Sequence, residues 1–244
     1  MPKVKSKVQS VLDDIFTAAP EFGGRRELMA PSYYSVKKLA GLIANDAKEE
    51  AFHQFFLKYP QYLFRATQYS DAGILGLLSK PTIGLNKADF AIFRVDQGSA
   101  SVSFIELECP VDKLFIGELR ESKELREGKT QLIDWDHWLS GNKGSSLNQL
   151  LAKLKDAPLF SEAIQPGNFR LVEPDSIERA WQTFGGNDYC HFNYLLVIGR
   201  WSKLTGKEKD RLLYMNSSRI NEKVQIRTYE QFIRSAMVDL RFIG

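Results

Sequence analysis

The sequence predicts an α/β domain with a mixed central sheet flanked by helices. Short runs of β-branched and aromatic residues at 89–93, 102–108 and 194–198 alternate with stretches of helical periodicity. The run Tyr194-Leu195-Leu196-Val197-Ile198 shows no polar alternation, which suits a strand buried on both faces. Strands separated by helices, on a partly parallel sheet, cover both faces of that sheet in an α/β arrangement.

The elements follow in chain order. Val4, Val8, Val11, Leu12, Ile15 and Phe16 recur at helical spacing, and Ala19-Pro20 and Gly23-Gly24 break the pattern. Residues 1–40 are therefore expected to form an N-terminal helical arm on a domain of residues 41–244. The arm's apolar stripe packs on that domain or on a second subunit, and a homo-oligomer is expected. A helical region spans 35–59 and ends at Pro60, with Phe52, Phe55, Phe56 and Tyr59 as its apolar stripe. Residues 61–87 are Gly-rich and expected to be irregular, with one strand near 74–78. Asp96-Gln97-Gly98-Ser99 suits a hairpin connection between strands 89–93 and 102–108. A long helix is expected over 122–140, carrying Gln131, Trp135 and Trp138 at i, i+4 and i+7, and Gly141-Asn142-Lys143-Gly144 ends it. Residues 145–190 hold one or two helices broken by Pro158, Pro166 and Pro174. A helix over 206–215, a short strand over 223–227 and a closing helix from Tyr229, capped by Thr228, complete the chain.

Composition narrows the function classes. Of 244 residues, 43% are hydrophobic and 26% charged, which is ordinary for a soluble globular protein. No run of apolar residues is long enough for a spanning helix, so no membrane partner is expected. The basic N-terminus lacks the apolar core of a signal peptide. Two cysteines, Cys109 and Cys190, exclude a disulfide framework and point to the cytoplasm, and without a C-x-x-C spacing a zinc site is not expected. Residues 86–140 carry 7 Lys/Arg against 11 Asp/Glu, while residues 199–244 carry 10 against 5. An acidic centre beside a basic C-terminal part fits a metal site flanked by a polyanion-binding surface. Scattered surface charge gives the same totals.

The acidic centre has a pattern. On a strand, residues two apart share a face, so Glu106 and Glu108 project together while Ile105 and Leu107 point away. If strands 89–93 and 102–108 pair as a hairpin, Asp89 joins that face. Clustered carboxylates repel one another and resist burial, so they call for a cation. Oxygen-only ligands suit Mg²⁺ or Mn²⁺. Glu50 lies one turn from His53, so the two can share a face, and otherwise it is a solvated helix charge. Gln131 is expected to face inward with Trp135 and Trp138, which are core residues rather than base-stacking platforms. His53, in an apolar stripe, is expected to be structural, and Cys109 to be inert packing. Lys113 and Lys129 flank the site.

A helix, strands bearing Asp and then Glu-x-Glu, a helix and a buried strand occur in the order that resembles the PD-(D/E)XK nuclease superfamily. More narrowly, Glu50-x-x-His53-x-x-Phe56-Leu57-x-x-Pro60, Asp89-Phe90 and Ile105-Glu106-Leu107-Glu108-x-Pro110 are similar to the Shedu antiviral-defence nuclease domain. So are Gln131-Leu132-x-Asp134-Trp135-x-x-Trp138, Val197-Ile198-Gly199-Arg200 and Arg227-Thr228-Tyr229-Glu230. The resemblance spans roughly residues 46–240. It implies a restriction-endonuclease-like core, a Mg²⁺- or Mn²⁺-dependent endonuclease hydrolysing phosphodiesters, expected to be in DNA, and a role in bacterial antiphage defence. Asp89 and Glu106 are the implied metal ligands. Glu108, where the superfamily usually has Lys, is a further ligand or a general base, and Gln131 and Glu50 support the site. That exchange also leaves open a nuclease fold that binds or senses nucleic acid without cutting. A third reading is a protein-interaction subunit built around residues 1–30.

Overall fold

The computed structural model describes residues 31–67, 73–96, 99–117, 119–160, 167–183, 188–217 and 224–238. The helix expected near residues 4–16 lies outside them. The region expected to be one helix over 35–59 is two, α1 (Tyr33–Ala44) and α2 (Glu49–Lys58). Ser32 caps α1, its side chain accepting from the Ser35 N–H at 3.1 Å. The break falls at Asp46, whose φ of 52° is left-handed and cannot continue a helix. Pro60 ends α2 as expected, but α3 (Gln61–Thr67) follows at once where irregular chain was expected. Tyr62, Leu63, Phe64 and Ala66 are all buried, so packing makes this short helix despite the Gly-rich sequence beyond it.

Among the described residues ten strands follow: β1 (Ile74–Ser79), β2 (Thr82–Ile83), β3 (Asn86–Lys87), β4 (Phe90–Asp96), β5 (Ser99–Leu107), β6 (Phe115–Ile116), β7 (Arg120–Glu121), β8 (Phe169–Arg170), β9 (Cys190–Val197) and β10 (Val224–Arg227). Six form one sheet in the order β10-β9-β5-β4-β1-β8. β5, β9 and β10 run parallel, and β4, β1 and β8 add antiparallel pairs. The sheet is therefore mixed, as the sequence predicts. β2 pairs with β3, and β6 with β7, as separate two-stranded ribbons. The remaining helices are α4 (Lys123–Gly141), α5 (Lys143–Asp156), α6 (Pro174–Thr183), α7 (Gly206–Ser217) and α8 (Tyr229–Val238).

The period-two alternation of the strands sorts the core into two layers. Ala91, Phe93, Phe104, Tyr194 and Leu196 pack under α4, α5, α6 and α7, through residues such as Leu132, Trp135, Leu147 and Ile177. Phe90, Ile92, Ile105, Leu107 and Leu195 pack under α1, α2, α3 and α8, through Leu39, Phe56, Leu63 and Phe232. Val36, Leu39 and Ala40, from the last stretch of the expected arm, pack in the second layer. Both cysteines are free thiols. Among the described residues, no helix is long and apolar enough to cross a membrane.

Candidate functional site

The β4–β5 hairpin brings the predicted carboxylates together. Phe90 pairs with Ile105, and the Asp89 N–H donates to the Ile105 carbonyl at 3.1 Å, so Asp89 lies abreast of Glu106. By the strand alternation, both belong to the face that α4 covers. Asp89 is buried, at 2% exposure, and its Oδ2 accepts from the Leu107 N–H at 2.7 Å. Glu106 is half-buried. Its Oε1 accepts from Gln131 Nε2 on α4 at 2.7 Å, while its Oε2 is buried with no hydrogen-bond partner.

Glu108 lies just beyond β5. Its N–H donates to the Val197 carbonyl at 2.8 Å, and its carbonyl accepts from the Tyr229 hydroxyl at 2.6 Å. The Thr228-Tyr229-Glu230 segment thus has local causes. Thr228 N–H donates to Gln231 Oε1 at 2.7 Å, starting α8; Tyr229 pins the site backbone; Glu230 accepts from the Ser202 N–H and hydroxyl, both at 2.6 Å. α4 comes this close because Gly128 lacks a Cβ: one built there would lie 2.9 Å from Leu196 Cδ1 and 3.4 Å from Glu108 Oε1.

Burial and mutual repulsion perturb the acids together. Burial, then the Asp89 charge, push Glu106 up to about 8, against a smaller lowering by the Gln131 bond. Burial, then Glu49, Asp112 and Asp89, push Glu108 up to about 7. Burial and Asp89 also raise Glu49. A cation answers this charge: Lys80 Nζ pairs with Asp89 Oδ1. Burial pulls Lys80 down, but the bond to Asp89 and the charges of Asp89, Glu49 and Glu106 outweigh it, and the net shift is upward. Lys80 is 44% exposed and has a left-handed φ of 49°, a strained backbone held by its N–H donating to the Asp89 carbonyl at 2.8 Å.

The other sequence-predicted residues divide. Asp89, Glu106, Glu108 and Gln131 come together. Glu50 is exposed and accepts from Gln54 at 2.7 Å, whereas its half-buried neighbour Glu49 is the α2 carboxylate that feels the Asp89 charge and most raises Glu108. His53 is buried, stacked on Phe90 at 4.6 Å between ring centres, with Nε2 at 3.2 Å from Ser79 Oγ, a structural placement beneath the strand that begins after Asp89. Trp135 is core. Trp138 is 39% exposed and lies over Gly84 in the β2–β3 turn, so it is not the core residue expected. Lys129 pairs with Glu121 at 3.0 Å, and Lys113 lines a separate pocket near Arg200. Sequence reasoning missed Lys80, Glu49 and Gly128. Lys80 becomes visible only once the β1–β4 register, Ser79 opposite Phe90, is known.

Among the described residues, no group of three or more His, Cys, Asp or Glu is arranged to hold a metal ion. Lys80 ties up one oxygen of Asp89 and Gln131 one oxygen of Glu106. The donor set nevertheless fits a hard divalent cation: it is all oxygen, and the orphaned Glu106 Oε2 leaves a buried acceptor with nothing to accept.

No curated protein matches the chain. The family model of the C-terminal part of the Shedu protein SduA matches residues 46–233. That span contains the carboxylates, the Gln131 helix, the buried β9 strand and the Thr228-Tyr229-Glu230 segment. The chain therefore belongs to the family of the Shedu protein SduA C-terminal domain.

Proposed function

We propose that the chain is a divalent-metal-dependent nuclease that hydrolyses phosphodiester bonds in DNA, on a PD-(D/E)XK core. Membership of the Shedu family implies an antiphage defence protein. The observation that carries the nuclease reading is Asp89, just before β4, abreast of Glu106 on β5, with one buried Glu106 oxygen left without a partner. Asp89 and Glu106 are the residues that would hold Mg²⁺ or Mn²⁺. Bound there, the cation supplies charge neutralisation at phosphate oxygens and a lowered pKa for water.

The chain's own groups do the rest. The Leu107 N–H fixes Asp89, and Gln131 fixes one Glu106 oxygen so that the other is presented. Glu108, pushed up to about 7, is matched to accept a proton near neutral pH. Lys80, reaching the carboxylates from the end of β1, supplies the positive charge that the superfamily usually draws from position 108. Tyr229 holds the Glu108 backbone.

A second reading draws on Lys80 itself. An ammonium already seated on Asp89 lets the site neutralise part of its charge without metal, which favours a fold that binds nucleic acid and does not cut. Nicking of supercoiled plasmid in Mg²⁺ or Mn²⁺ decides between them. The nuclease reading expects nicking by the native chain and none by Asp89→Ala or Glu106→Ala. Equal nicking by all three would overturn the site assignment, and no nicking by any would favour the second reading.

A further inference from the structure

Beside the carboxylates, α4 and the β2–β3 hairpin enclose a groove of about 550 Å³. Its floor on α4 is Lys123, Arg126, Glu127, Thr130, Gln131 and Asp134, the i, i+3, i+4, i+7 repeat of one helix face. Its other wall is Asn86 and Lys87 of β3. Gln131 is common to the groove and the acidic site, since its Nε2 holds Glu106. The groove therefore adjoins the proposed metal ligands through Gln131.

The groove's charge suits a phosphate backbone. Lys87, Lys123 and Arg126 are exposed cations on both walls. Lys123 meets Glu127 at 3.7 Å, but both are largely exposed, and such pairs contribute little, so a phosphate displaces this one at small cost. Arg126 is anchored by its Nε, which donates to the Ser122 carbonyl at 3.3 Å. Lys123 opens the nineteen-residue α4, whose N-terminal dipole adds to the attraction for anions.

The hairpin adds an apolar tip. Ile83 pairs with Asn86, so Gly84 and Leu85 form a two-residue turn, and Gly84 has the positive φ, 59°, that such turns place on glycine. Leu85 is fully exposed, at 103%, on a turn that normally carries polar residues. The hairpin is braced, with Ile83 in the core and Trp138 against Gly84. A rigid apolar tip beside a cationic groove is the arrangement with which proteins wedge between stacked bases.

We propose that α4 and the β2–β3 hairpin form the DNA cleft of this chain, with Lys87, Lys123 and Arg126 on backbone phosphates and Leu85 inserted against the bases. This rests on the nuclease reading for its substrate class, but its test reads binding. A short fluorescein-labelled duplex is titrated with the Glu106→Gln chain in Mg²⁺ across a salt series. Adding Lys87→Ala, Lys123→Ala and Arg126→Ala together weakens binding by on the order of tenfold or more and makes the salt slope shallower by about 2 to 3. Adding Leu85→Ser instead leaves the salt slope unchanged and abolishes the rise in fluorescence of a duplex carrying 2-aminopurine.

An unchanged affinity and slope in the triple variant would overturn the cleft, and a 2-aminopurine signal indifferent to Leu85 would overturn the wedge. Plasmid nicking, with the same substitutions in the otherwise native chain, separates the two proposals. A chain that binds through the cleft but never cuts sinks the nuclease reading and keeps the cleft. A triple variant that binds and cuts like the native chain sinks the cleft and keeps the nuclease.

Discussion

Replacing Glu106 by glutamine should stabilise the metal-free protein, and increasingly so as pH rises. In the folded chain burial and Asp89 hold the Glu106 carboxyl near 8, against 4.5 ordinarily. Between those values the folded state keeps a proton that the unfolded state has released. Stability conferred by this group is therefore full below 4.5 and is lost as pH climbs through about 8. A displacement of about 3.5 units, at about 1.4 kcal/mol each, makes the ionised group cost about 5 kcal/mol. For a chain of this size about 1 kcal/mol moves the melting temperature by roughly 2 to 4 °C, so the full effect is on the order of 10 to 20 °C. The substituted amide has the same shape and no charge, and can still meet Gln131. Thermal melts by circular dichroism in EDTA, over a pH series, measure the gap between the two proteins. It should be small near pH 5 and open through about pH 8, and excess Mn²⁺ should close it by restoring the native chain alone. Parallel melting curves at every pH would show that Glu106 is not held unpaired in the fold, and the cation argument would fail with it.

Four further outcomes follow from the same geometry. Gly128→Ala should lower stability by about 1 to 2 kcal/mol in urea unfolding despite alanine's better helix propensity, because the new methyl meets Leu196 at 2.9 Å. Tyr229→Phe should cost about 1 to 2 kcal/mol and reduce turnover, since the Glu108 carbonyl loses its donor. Gln131→Ala should cut activity by about 10- to 100-fold, with thermal melts showing little change, because the glutamine orients Glu106. Lys80→Met should tighten Mn²⁺ binding in calorimetry, as no ammonium competes for Asp89, while turnover falls; tighter binding with full turnover would remove Lys80 from the reaction.

What the sequence disclosed depended on periodicity. Asp89, Glu106 and Glu108 were legible because two-residue alternation fixes a face, and a short hairpin fixes which strands pair. Gln131 was legible through its spacing to Trp135. Glu49 was not: adjacent helix positions differ by about 100°, so choosing it over Glu50 needs the true start of α2, which follows a break at Asp46 that no glycine or proline marks. Lys80 belongs to no pattern and reaches Asp89 only through the β1–β4 register. The β2–β3 hairpin has two-residue strands, too short to show a period, and Trp138 shares its helix spacing with Trp135 yet meets a turn that was not foreseen. α3 escaped because its signal is burial, which only tertiary packing supplies.

The central claim is that Asp89 and Glu106 form a seat for a divalent cation. Calorimetric titration of the native chain with Mn²⁺ tests it most directly, beside Asp89→Asn and Glu106→Gln, with circular dichroism confirming that all three are folded. The account predicts saturable binding by the native chain and its loss in both variants. Absence of saturable binding in the native chain, or its survival in both variants, would contradict it.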